Sequence, residues 1–152
     1  MKSVLYGLLW GLAGGMAYIR LAPDDAARWH RVLASPPGVQ ATVRVVSGGA
    51  WVRETFPGVD PRTLLERLAA VALDTDRTVR LAGQPEEGRI TWVTRSAFFG
   101  FPDYTTAEAE PEVDGRGTRL TVFARLRYGR SDFGVNGARL RQWMARLSSD
   151  PA

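Results

Sequence analysis

The chain has 152 residues, 45% hydrophobic and 24% charged, which is enough for one packed domain and an N-terminal segment. It has no cysteine, and this excludes disulfides, thiolate metal sites and a cysteine nucleophile. Its net charge of +4 comes without any basic run, so nucleic acid is not an expected partner.

In chain order, Ser3 to Ile19 is uncharged and largely apolar, and Arg20 follows. The run is slightly shorter than the roughly 20 residues needed to span a bilayer. Leu21 and Ala22 extend it if Arg20 snorkels. A retained membrane anchor over residues 1–21 is the favoured reading. A signal cleaved near Gly15-Met16-Ala17 and a buried soluble helix are the alternatives. Lys2 favours an N-terminus inside the cell, whereas Arg20, Arg28 and Arg31 pull the other way. Gly7, Gly11 and Gly15 recur every fourth residue, a face through which two copies of the helix can pair. The competing account is the ordinary glycine content of membrane segments.

Residues 22–40 form a connector. Asp24 or Asp25 is expected to cap a short helix through Trp29, Val32 and Leu33, with Pro36-Pro37-Gly38 ending it. His30 has no evident acid or base partner nearby and reads as a connector histidine beside an anchoring Trp29.

A single domain then occupies residues 41–152. Ala41 to Val46 and Trp51 to Thr55 read as strands joined around Ser47-Gly48-Gly49. Asp60-Pro61 opens a helix that runs to about Leu73, defined by Leu64, Leu65, Leu68, Ala69, Ala72 and Leu73. Arg77 to Ala82 and Arg89 to Arg95 are strands around a polar loop. Phe98, Phe99 and Phe101 cluster ahead of Pro102. Core aromatics at a bend are favoured there over an apolar lip that touches lipid. Tyr104 to Val113 and Thr118 to Arg127 form the last hairpin, and Leu140, Trp143, Met144 and Leu147 mark the closing helix.

Between that hairpin and that helix runs Tyr128-Gly129-Arg130-Ser131-Asp132-Phe133-Gly134-Val135-Asn136, a strand-to-helix corner. Asn136 is expected as the N-cap, with Val135 and Leu140 as the hydrophobic staple. Asp132 is expected to pair with Arg130 or Arg127 or to accept backbone N–H bonds, and Asp103 to act likewise. Asp103, Arg130, Asp132 and Asn136 are therefore read as a structural corner. An Asp103–Asp132 acid/base pair is the catalytic alternative. The expectation is a non-catalytic protein without cofactor or metal, as no phosphate loop, dinucleotide fingerprint or triad spacing occurs.

Arg125-x-Arg127-Tyr128-Gly129-Arg130-Ser131-Asp132-Phe133-Gly134-Val135-Asn136 resembles the signature of the domain of unknown function 1499 family. Arg95-Ser96, Gly100-Phe101-Pro102-Asp103-Tyr104 and the Trp143 helix fit the same pattern over roughly Pro61 to Leu147, and Trp29-His30 fits it more weakly. Two positions depart from the family. Ala124-Arg125-Leu126-Arg127 stands where it usually has Ser-Arg-Ser-Arg, and Gly137 stands where an arginine commonly follows the Asn. The resemblance implies no activity. It does imply an extracytoplasmic, periplasmic-side address, since the family includes bacterial envelope and plastid proteins.

The element order predicts an α+β fold: a twisted antiparallel sheet with two helices on one face. A helix-grip variant would leave a cavity under Trp143 and Met144. Parity across the last hairpin places Leu120, Val122, Ala124 and Leu126 with Thr105, Ala107 and Ala109 on the core face. The same argument places Val79, Leu81, Ile90 and Trp92 in the core. Arg80, Arg95, Arg125 and Arg127 then share the opposite face with Tyr104, and only Glu108 and Glu110 are acidic there. Cross-strand pairs on a solvated face are the favoured account, and an anion site for phosphate or carboxylate is the functional one. Two functions follow: a membrane-anchored binding module for an anionic or lipidic small ligand, or an interaction domain dimerising through its anchor. An open pocket under Trp143 and Met144 favours the first. A filled core with an exposed apolar patch favours the second.

Overall fold

The computed structural model describes residues 2–34 and 42–149. The expected Pro36-Pro37-Gly38 stop, the strand start at Ala41 and the end of the tail from Asp150 lie outside the described residues.

The first helix, α1 (Lys2–Leu21), has its apolar side chains exposed along its length. Its length and composition suit a membrane span and equally a signal sequence. One turn follows, α2 (Ala26–Trp29), capped by Asp25, whose carboxylate accepts the Ala27 N–H at 2.9 Å. Strands β1 (Arg44–Val46) and β2 (Gly49–Pro57) pair across a two-residue turn in which Gly48 takes φ 77°. Helix α3 (Pro61–Leu73) starts as its sequence demands. The Asp60 carboxylate accepts the Thr63 N–H at 3.0 Å, and Pro61 fills the first turn, where no N–H is needed.

A meander completes the sheet: β3 (Thr78–Gln84), a 3-10 turn at Pro85–Glu87, β4 (Arg89–Arg95), β5 (Pro102–Pro111) and β6 (Gly117–Leu126). Helix α4 (Val135–Ser149) closes the chain. The six strands are antiparallel in the order β1-β2-β6-β5-β4-β3. Both α3 and α4 pack on one face, giving the α+β architecture with one main core. Leu120, Val122 and Ala124 point into it with Thr105, Ala107 and Ala109, as parity requires. Each large side chain buried there contributes about 1.5–3 kcal/mol.

Three expectations are corrected. Val79 and Leu81 do not belong to the main core. A β-bulge at Leu81 inserts one residue between the Arg80–Trp92 and Ala82–Thr91 pairs, so every residue before it changes face. Val79 is 58% exposed, and Leu81 packs on the other side of the sheet against Trp29, Val93 and Tyr104. Next, among the described residues the space beneath Trp143 and Met144 is packed. Trp143 meets Trp92 edge-on at 5.7 Å and donates its indole N–H to Thr75 Oγ1 at 2.8 Å, while Met144 is buried in the same core. Finally, Phe98, Phe99 and Phe101 are exposed rather than core.

The departure at Gly137 has a packing reason. A Cβ at that position would lie 2.9 Å from Val45 Cγ2, so glycine lets the first turn of α4 approach β1.

Candidate functional site

The sheet face away from α3 and α4 is covered by the connector. Arg95, Tyr104, Arg125 and Arg127 lie on this face, as parity places them, with Tyr104 directly across from Arg125. Arg80 does not join them. Its pairing with Trp92, ahead of the bulge, turns it to the helix side of an edge strand. Glu108 and Glu110 are engaged by Arg89 at 2.5 Å and Arg119 at 2.9 Å, and Glu108 also accepts the Leu33 N–H at 3.1 Å.

The acid that sequence reasoning missed is Asp24. Its carboxylate takes the Arg95 guanidinium at 2.6 Å and the Tyr104 hydroxyl at 2.5 Å, and lies 3.7 Å from Arg127. Arg127 also donates to Pro23 O at 3.0 Å and to the Tyr104 hydroxyl at 3.2 Å. Burial, and then the Asp24 hydrogen bond, push the Tyr104 phenol up to about 12, so it is neutral and donates to the carboxylate. The anion that Arg95 and Arg127 are shaped to hold is thus supplied by the chain itself. Asp24 was read only as a possible helix cap, because a connector Asp carries no periodicity that would link it to strands far along the chain.

Arg125 is in a different state. Trp29 stacks flat on Tyr104 at 4.0 Å, and the Arg125 guanidinium lies 5.4 Å from the Trp29 ring. Its Nη2 donates to Trp29 O and to Thr106 Oγ1 at 3.0 Å, while its buried Nε has no partner. Among the described residues no carboxylate forms an ion pair with it. Burial first, and then the charge of Arg31, lower its pKa from the ordinary arginine value. Arg28, whose guanidinium lies 5.0 Å from the Trp29 ring, and Arg31 line the same cleft of about 490 Å³ with Arg125. Asp25 lines it too, but its carboxylate caps α2. His30 lies beside this network, with Nδ1 2.9 Å from Thr91 Oγ1. Burial and the Arg89 charge lower its pKa, which keeps it neutral.

At the corner Asp132 accepts backbone N–H bonds, one of its two expected roles, while the expected Asn136 cap is corrected. Asp132, not Asn136, caps α4. Its two carboxylate oxygens accept the N–H groups of Gly134 at 3.0 Å and Asn136 at 2.7 Å. Burial opposes ionisation of Asp132, but these backbone bonds outweigh it and hold its pKa below the usual value. Asn136, the second residue of the helix, is fully buried. It donates to Asp103 Oδ2 at 3.2 Å and accepts from the guanidinium of Arg139. Arg139, buried and 3.7 Å from Asp103, was not anticipated, because its helix position reads as a surface arginine. Burial pushes the Asp103 carboxyl up to about 6, although Arg139 acts against this. Arg130 is exposed, and its carbonyl accepts the Gly48 N–H at 3.0 Å.

Two clefts meet at Ser96, Asp103 and Val135. One of about 500 Å³ is lined by Arg77, Arg95, Arg139 and Gln142. The other, about 400 Å³, is apolar, between Phe99, Phe101, Tyr128 and Phe133. No group of acidic or imidazole side chains suited to a metal occurs among the described residues.

Residues 31–147 match the family described as Protein of unknown function (DUF1499), and the chain belongs to it. The matched span starts after Asp24 and Trp29. No curated protein matches the chain.

Proposed function

We propose that this member of the family is a membrane-anchored, extracytoplasmic module that binds an anionic ligand, with the anion held between Arg28, Arg31 and Arg125 beside Trp29. The observation that carries the reading is Arg125, a half-buried cation whose hydrogen-bond partners among the described residues are a carbonyl and a hydroxyl. Such a charge is costly without a counter-charge, and two further guanidinium groups line the same cleft. Arginine forks suit bidentate contact with phosphate or carboxylate. Arg95 and Arg127 support the cleft rather than line it, because Asp24 occupies them.

The test uses the full chain in neutral-lipid nanodiscs, titrated with inorganic phosphate and, separately, incorporated into bilayers containing phosphatidylglycerol. Saturable binding is expected in at least one arm, and the arm that responds distinguishes a free anion from a lipid headgroup. Arg28→Gln/Arg31→Gln should weaken it by about tenfold or more, the loss expected for removing hydrogen bonds to a charged group. Arg116→Gln, on the distant β5–β6 loop, should leave it unchanged. Equal binding by the double variant, or none by the parent, rejects the cleft. The side of the membrane is a separate matter. A reporter fused after Ala152 should work only outside the cytoplasm, and activity only inside it would reverse that part of the reading.

The second reading, an interaction domain dimerising through α1, draws on one observation. A Cβ added at Gly7, Gly11 or Gly15 meets nothing within 4 Å, so no packing among the described residues calls for these glycines. The filled core beneath Trp143 and the exposed phenylalanines also favour an interaction surface, and they lead to the next inference.

A further inference from the structure

The aromatic end of the domain has features that folding alone does not explain. Phe133 is 97% exposed and takes φ 52°, a left-handed conformation that bulky residues rarely adopt. Such backbone is strained and persists only where its surroundings hold it. The corner holds it there, through the Asp132 bonds to Gly134 and Asn136 and a bond from the Phe133 N–H to Ser131 Oγ at 3.3 Å. The molecule therefore tolerates strain to hold a phenyl ring in solvent. Phe98 is 83% exposed, and Phe99 and Phe101 pack on each other at 5.6 Å beside it. Between Phe101 and Phe133 runs the apolar cleft that also includes Tyr128.

The position of this end relative to α1 is fixed. Arg20, in the last turn of the apolar helix, donates from Nη2 to Phe98 O at 2.7 Å. A Cβ at Gly100 would lie 2.8 Å from Arg20 Cγ, so the arginine stem lies along the phenylalanine loop. Aromatic rings beside arginines are the composition of the bilayer–water interface. Exposed Arg130 lies on the segment that lines the cleft, and Asp103 and Asp132 line it too.

We propose that this end is a seat on the lipid surface: Phe98, Phe99, Phe101 and Phe133 enter the interface of the bilayer that α1 crosses, flanked by Arg20 and Arg130 at the phosphate level. The seat would hold the domain in one orientation on the membrane instead of leaving it tethered and tumbling. It rests on the anchor reading of α1 and is independent of the arginine cleft.

The absence of cysteine makes the test clean. Leu12→Cys, Phe98→Cys, Phe133→Cys and Val113→Cys would each be made in the full chain and spin-labelled. They would be reconstituted in mixed phosphatidylcholine–phosphatidylglycerol nanodiscs and read by collision with oxygen and with an aqueous nickel chelate. All four side chains are exposed, and Val113 marks the far tip of the β5–β6 hairpin. Labels at 12, 98 and 133 should favour oxygen severalfold over the label at 113. If 12 lies in lipid while 98 and 133 match 113, the seat is overturned and the anchor stands. If 12 is also aqueous, the anchor fails and the seat fails with it.

Discussion

Replacing Arg139 by methionine is expected to cost about 3–5 kcal/mol of stability near pH 8, and distinctly less near pH 5. The guanidinium is buried 3.7 Å from Asp103, and Asn136 bonds to both groups. Removing it strands a carboxylate that burial already disfavours. In the parent, Asp103 has a folded value of about 6 against an ordinary 3.8, so the native state keeps a proton that the unfolded chain releases between these values. The contribution of this group to stability therefore falls as pH rises through that window and is constant above it. Arg139 lowers the Asp103 value, so without it the window extends upward and the loss grows with pH. Asp103→Asn added to Arg139→Met should recover most of the loss, because the amide oxygen still accepts from Asn136 and no unpaired charge remains. Chemical denaturation of the full chain at both pH values measures this. A loss independent of pH, or one that the second substitution does not relieve, contradicts it.

Asp24→Ala is the second large effect, expected at about 2–3 kcal/mol, the range for hydrogen bonds to charged groups. It leaves Arg95 and Arg127 facing each other's charge and removes the acceptor of the Tyr104 hydroxyl. Loosening the connector also loosens the Trp29–Tyr104 stack, and trypsin should then cut at Arg28 and Arg31 severalfold faster. Asp24→Asn keeps the geometry without the charge and should fall between. Parent-like stability and cleavage in Asp24→Ala would mean that the connector does not depend on this contact.

Strict alternation made the β5–β6 hairpin legible. From Leu120 to Leu126 every second residue faces the helices, and Arg125 and Arg127 fall opposite without exception. The same reasoning placed Arg80 on the wrong face, because parity assumes an unbroken ladder and one bulged residue at Leu81 reverses it. Bulges carry no reliable side-chain signal. At the corner, the residue types were legible and the division of labour was not. Asp132 and Asn136 are both good caps, and only the path of the chain through Phe133 and Gly134 decides which carboxyl or amide reaches the free N–H groups. Arg139, and Asp24 as an ion-pair partner, escaped notice because each depends on a group remote in sequence: Asp103 for the first, and Arg95 and Arg127 for the second.

The strand order has a kinetic consequence. Strands β3 to β6 are successive hairpins, so each pairing closes a short loop. Strand β2 must instead find β6 across most of the domain, bringing Pro57 to Gly117 and Gly49 to Arg125. Non-local pairing of this kind delays folding. The meander would therefore assemble first, with the rim of β6 open until β2 arrives. During that interval the bare backbone of β6 is the part of the nascent chain most in need of protection, and the β1–β2 hairpin is the cover that ends it.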